Sequence, residues 1–244
     1  MAGPFLQELG TRIVASREVF RAEPGNKELQ NSATSSVLEL IVVVHLQSYH
    51  GGMAIPRLNE DKRTQFLPVI AQYFAVHGYD GTTTAGIAEA CGVRQNVLYR
   101  IWPDKEAMFV AVIKYIQDFT VRFWEDISRQ KNETKAEAIL RMQSKDHGVL
   151  RYYRVVYSGL LQESSSIRKA IREMYQALHQ YIEQAVESHR LERGQTDCRF
   201  DADVAAWGMM GLGAMVDIQR ELQIKSQKAR AVMLRETSLH GFLD

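Results

Sequence analysis

Thr82–Phe109 reads TTTAGIAEACGVRQNVLYRIWPDKEAMF, and its punctuation decides the fold. Thr83 is placed to cap a short helix, because its hydroxyl can accept a backbone N–H that the first turn leaves without a partner. Ile87, Ala88 and Cys91 are the compact apolar residues of that helix. Gly92 follows where a helix often ends in a left-handed residue. Val93 is an apolar pin at the turn. In the next helix Gln95, Asn96 and Arg100 can share one side, while Val97, Leu98 and Ile101 supply apolar contacts. Pro103 keeps Trp102 out of the helical region and stops this second helix. Asp104 can cap a third, which runs on from Lys105. Two short helices joined through a glycine form a helix-turn-helix, whose second helix can enter a DNA major groove.

The same residues resemble the DNA-binding segment of TetR-family transcriptional regulators. The resemblance is carried by Thr82 and Thr83, Ile87 and Ala88, Gly92 and Val93, Leu98 to Arg100, and Trp102 to Glu106. It extends upstream through Phe66 to Tyr79, which is similar to the family's first helix. Beyond about Gln117 it is a resemblance of helical layout only. It implies an all-α chain: a three-helix helix-turn-helix head followed by a helical effector-binding and dimerisation domain. The boundaries expected are an N-terminal extension over 1–56, the head over 57–115 and the helical domain over 116–244.

Bulk charge does not advertise a nucleic-acid binder, since the formal net charge of the 244 residues is +1. Between Arg57 and Lys105 the bases Arg57, Lys62, Arg63, Arg94, Arg100 and Lys105 face the acids Glu60, Asp61, Asp80, Glu89 and Asp104. DNA affinity must therefore come from a few placed contacts, doubled by dimerisation, rather than from a broad basic field. Arg94, Gln95 and Asn96 open the second helix, where side chains reach base edges; Arg suits guanine, and Gln or Asn suits adenine. The resemblance implies that Tyr99, Lys105 and Thr83 touch phosphate. Arg100 suits a carboxylate or a phosphate better than a base. Gly86 stands where the family often has an acidic residue completing a capping box, so that box is lost. An ordinary helical hairpin is the plainer reading, but it would not need these exposed polar residues.

Upstream, Pro4 to Ala22 has helical periodicity, and Val37 to Leu46 is apolar enough for a strand or a buried helix. Two readings of 1–56 stand side by side: an accessory arm, or translation starting at Met53. Phe66, Val69, Ile70, Tyr73 and Phe74 recur at helical spacing over Asp61 to His77. Pro68 within that run predicts either a kink or a helix that starts just before it.

Downstream, helices are expected over Lys105 to Arg129, Thr134 to Asp146, Val149 to Glu163, Ile167 to His189, from a cap at Asp201 or Asp203 to about Gln223, and over Ser226 to Leu239. The aromatic and methionine-rich part suggests an effector pocket drawn from Phe119, Phe123, Trp124, Tyr152, Tyr153, Tyr157, Trp207 and Met210. Of these, Phe123, Tyr153, Tyr157 and Trp207 are the chosen ligand-binding candidates. Plain core is the competing use of each. A drug-sized hydrophobic effector would suit such walls. The glycines and alanines between Ala205 and Ala214 suggest close helix packing and a homodimer interface shared with Ile167 to His189.

The two cysteines form no framework, and a reducing cytoplasm fits them. The seven histidines show no ligand spacing, so no metal is assigned. No catalytic grouping or cofactor motif appears, and no run is apolar for long enough to span a membrane. The reading is a cytoplasmic, homodimeric repressor of a palindromic operator, released by a small molecule. The rival is a helical interaction protein whose head no longer binds DNA.

Overall fold

The computed structural model describes residues 58–131, 133–144, 151–224 and 242–243. The expected N-terminal arm and the helix over Ser226 to Leu239 lie outside these residues. Eight helices are described: α1 Leu58–His77, α2 Thr84–Ala90, α3 Gln95–Tyr99, α4 Lys105–Lys131, α5 Lys135–Ser144, α6 Tyr152–Leu160, α7 Ser165–Arg193 and α8 Ala202–Glu221. There is no strand among the described residues, so the all-α expectation holds.

The helix starts follow capping chemistry. Thr83 Oγ1 accepts from Gly86 N at 3.1 Å, Asp104 Oδ1 from Ala107 N at 2.7 Å, and Asp201 Oδ1 from Val204 N at 2.8 Å. Ser164 Oγ accepts from Ile167 N at 3.2 Å, which starts α7 at Ser165. Its predecessor α6 therefore stops at Leu160, short of the expected Glu163. Thr134 and Glu137 make a reciprocal capping box at α5, at 3.2 and 2.9 Å. Gly194, at φ +67°, closes α7 in the left-handed region.

Helix α1 runs unbroken through Pro68. A start just ahead of the proline is thus overturned, for α1 begins ten residues earlier. Proline inside a helix costs about 3 kcal/mol. Burial of Ile70, Ala71 and Phe74, all fully enclosed, offsets it. Val69 belongs to the exposed side, not to the buried stripe.

Two apolar clusters hold the chain. The first joins Ile70 and Phe74 of α1, Ile87 of α2 and Leu98 of α3 to Phe109, Val112, Ile113 and Ile116 of α4, Val155 of α6 and Ile171 of α7. A boundary at residue 115 falls inside α4, whose buried residues on either side share this one core. Gly159 of α6 lies so close to the core that an added Cβ would stand 2.8 Å from both Phe109 and Ile171. The second cluster packs Ile139 of α5, Ile182 and Val186 of α7, and Ala205, Ala206 and Met209 of α8 around Leu243. Thus Ala205 and Ala206, read from the sequence as dimer-facing, are buried within the subunit.

Candidate nucleic-acid interface

The turn between α2 and α3 forms as its residues dictate. Gly92 adopts φ +66°, and Val93 N closes on Ala88 O at 2.9 Å. Ile87, Ala88 and Leu98 point into the core, which turns the opposite sides of both helices outward. Arg94, Gln95, Asn96, Tyr99 and Arg100 are all exposed there, at and around the first turns of α3. Trp102 closes the stretch from beneath, 3% exposed. Arg63 of α1 locks it by donating to Ile101 O at 2.9 Å, with its guanidinium 5.8 Å from the Trp102 ring centre.

Two of the expected phosphate contacts also have local duties. The Lys105 ammonium donates to Tyr79 O at 3.0 Å and Thr82 O at 3.2 Å, and sits 4.3 Å above the Tyr79 ring. It ties the α1–α2 turn to the start of α4. Tyr99 is 46% exposed, and its hydroxyl lies 3.0 Å from Thr84 Oγ1. Thr84 in turn accepts from Gln95 Nε2 at 2.9 Å. Sequence reasoning missed Thr84, because its partners are 11 and 15 residues away and meet it only once the hairpin has closed. The structure also gives Gly86 a packing reason: a Cβ there would collide with the Tyr73 hydroxyl of α1. Cys91 is half-buried in this packing, and burial pushes its thiol up to about 12, which suits a packed thiol rather than a reactive one.

The four effector candidates are not brought to one cavity. Phe123 of α4 stacks on Phe119 at 5.9 Å, in an aromatic row that includes Tyr115 and Tyr152. Tyr153 and Tyr157 of α6 lie 6.0 Å apart, facing the end of α8. Trp207 stands on the outer side of α8 against His179, 4.6 Å between ring centres. A cavity of about 600 Å³ lies elsewhere, lined by Ser128 of α4, Thr134 and Lys135 at the start of α5, and Tyr181, Gln184 and Arg193 of α7. Its lining is predominantly polar.

Around Tyr153 the structure builds an ionic joint between α6 and α8. Arg154 donates to both Glu221 oxygens, at 2.6 and 2.7 Å, and the Tyr153 hydroxyl donates to the same carboxylate. These bonds hold Glu221 down at about 2. Its neighbour Asp217 is pushed up to about 6 by burial, against the pull of Arg220 at 2.8 Å. The two act on stability in opposite directions. Glu221, depressed on folding, makes stability rise with pH between about 2 and 4.5. Asp217 binds its proton more tightly in the folded chain, so stability falls as pH rises from 3.8 towards 6. Asp217→Asn is expected to raise stability by about 2 kcal/mol at pH 7.5, with most of that gain gone at pH 3.5, where the carboxyl is largely protonated in both states. Thermal melts of the two proteins across pH 3.5–8 check it; equal curves would show that burial does not strain this carboxylate.

Comparison with known proteins agrees with this geometry. Residues 67–112 match the family model described as bacterial regulatory proteins, tetR family. A nucleoid occlusion factor, SlmA, of Alteromonas mediterranea is 27% identical over 154 residues, spanning 59% of this chain and 76% of that protein. A TetR-family transcriptional regulator from Rhodococcus superposes with a TM-score of 0.62 at 17% identity, over 74% of this chain and 98% of its own. FadR of Bacillus subtilis, solved with stearoyl-CoA, superposes with a TM-score of 0.53 at 17% identity, over 70% and 96%. The fold and the exposed helix pair define a helix-turn-helix DNA-binding regulator. Its residues 67–112 carry the DNA-binding domain of the TetR family.

Proposed function

We propose that the chain is a homodimeric, ligand-responsive repressor that reads a palindromic operator with two copies of α3. The exposed row Arg94, Gln95 and Asn96, held at the N-terminus of α3 by the buried Leu98, carries this reading. A single head offers few contacts and little net charge, so two heads on half-sites one helical turn apart supply the affinity. The outer side of α8 provides the dimer surface. Val204, Trp207, Gly211, Met215, Ile218 and Leu222 recur at spacings of three and four and are all exposed. An unbroken apolar stripe of this kind marks an interaction site.

The aromatic row of α4 suits a small hydrophobic effector. The FadR structure with stearoyl-CoA offers a precedent on the same fold. Effector binding would shift α4 and favour a state whose heads no longer fit adjacent grooves, which requires tighter binding to that state.

Selection from a random duplex library with the full chain, followed by electrophoretic shift, tests the operator reading. The expected outcome is a salt-sensitive, two-fold symmetric site, and a loss of at least about tenfold in affinity with Arg94→Ala plus Asn96→Ala. A second reading follows from the relatives named nucleoid occlusion factors: a DNA-bound role in that process rather than control of a promoter. Chromatin immunoprecipitation separates the two, since repression predicts a few promoter sites and nucleoid occlusion predicts many sites across the chromosome. No selective shift, with or without residues 1–52, would instead favour an interaction protein with an idle head.

A further inference from the structure

Thr84 is the first residue of α2 and has no assigned role in binding. Its Oγ1 lies between two residues of α3, 2.9 Å from Gln95 Nε2 and 3.0 Å from Tyr99 Oη. A threonine hydroxyl carries one proton and two lone pairs. The Gln95 amide occupies one lone pair. The threonine's own proton is then available to Tyr99 Oη, while its second lone pair is open to the tyrosine's proton, so either hydroxyl can be the donor. When Thr84 is the donor, the relay runs Gln95 N–H to Thr84 O–H to Tyr99 O–H, each bond polarising the next, and the tyrosine's proton points outward.

The consequence for Gln95 is specific. A carboxamide has two N–H donors and one acceptor oxygen, and Thr84 takes only one donor. The remaining N–H and the carbonyl oxygen are the pair that meets N7 and N6 of adenine. With the amide turned over, Thr84 would donate to the carbonyl, Tyr99 would donate inward, and Gln95 would present two N–H groups. Two donors suit the two acceptors of guanine instead. The orientation the structure shows, with the amide nitrogen facing Thr84 Oγ1, is therefore the one that suits adenine.

We propose that Thr84 is a positioning residue for sequence discrimination: it holds the Gln95 carboxamide for adenine and turns the Tyr99 proton towards a phosphate. This rests on α3 being the recognition helix.

The test uses the full chain, the duplex selected by the wild type, single-base-pair variants of that duplex, and a scrambled duplex. Fluorescence anisotropy is read at two salt concentrations. The wild type is expected to demand adenine at the base pair that Gln95→Ala relaxes. Thr84→Val, close in shape but without the hydroxyl, should lose at least about tenfold of that preference. Its melting temperature should stay unchanged, and Thr84→Ser should restore the preference. In a Gln95→Ala background, Thr84→Val should have no further effect on discrimination. Full adenine preference in Thr84→Val, guanine preference in the wild type, or additive effects in the double variant would each overturn the proposal while leaving DNA binding intact. A wild type that selects no sequence would overturn the DNA reading itself, and this proposal with it.

Discussion

A chain carrying Met215→Glu and Ile218→Glu is expected to run as a folded monomer and to bind its selected operator at least about a hundredfold more weakly. Both residues lie on the outer stripe of α8, 56% and 44% exposed in the single subunit. Exposed substitutions of this kind usually change subunit stability by less than about 0.5 kcal/mol. In a symmetric interface each change appears twice, so four carboxylates would meet in an apolar seam. Burying them unpaired costs several kcal/mol, and like charge adds to it. Once the seam opens, the second head no longer profits from the first, and the lost avidity lies in the range of about 10²–10⁴. Light scattering on a sizing column gives the mass, and anisotropy gives the affinity. The variant's helical circular dichroism and melting temperature should match those of the parent subunit. A dimer that persists would move the interface away from α8, and a monomer with full affinity would remove the need for two heads.

What could be read from residue order was what depends on near neighbours. Thr83, Gly92, Asp104, Ser164, Gly194 and Asp201 act within a few residues of themselves, and each sits at the helix end its chemistry demands. The exposed row Arg94 to Asn96 was legible for the same reason, because Leu98 fixes the inward side of so short a helix. Distant meetings were not legible. Nothing near Pro68 says that Ile70 and Phe74 will be enclosed deeply enough to carry the helix through it. Lys105 matches a phosphate-contact position, yet its ammonium reaches two carbonyls more than twenty residues upstream. The aromatic residues behaved likewise. Composition marks them as pocket-forming, but their direction depends on helix rotation, and Phe123, Tyr153 and Trp207 point to three different neighbours.

The largest effect on stability is expected from Phe109→Ala, a loss of about 3–5 kcal/mol. Phe109 is fully buried near the start of α4. Its ring meets Phe74 of α1 edge-on at 4.8 Å and Tyr79 of the following turn at 5.0 Å. On its other side stands Gly159 of α6, close enough that a single added Cβ would collide with the ring. The ring thus fills the space where the head, the connecting helix and α6 converge. Alanine would leave a cavity bounded by three elements that cannot all close on it. Edge-to-face contacts add about 0.5–1.5 kcal/mol per aromatic pair to the burial term. For a chain of this size, about 4 kcal/mol corresponds to a fall in Tm on the order of 10 °C. Phe109→Leu keeps most of the volume and should lose less than half as much. The same variants separate stability from signalling. If α4 transmits the effector state to the head through this contact, Phe109→Leu should weaken the effector's influence on operator affinity while the protein stays folded at 25 °C. Urea titrations measure the first quantity, and anisotropy with and without effector measures the second. A Phe109→Ala chain that melts within about 2 °C of the parent would place the junction between head and body elsewhere.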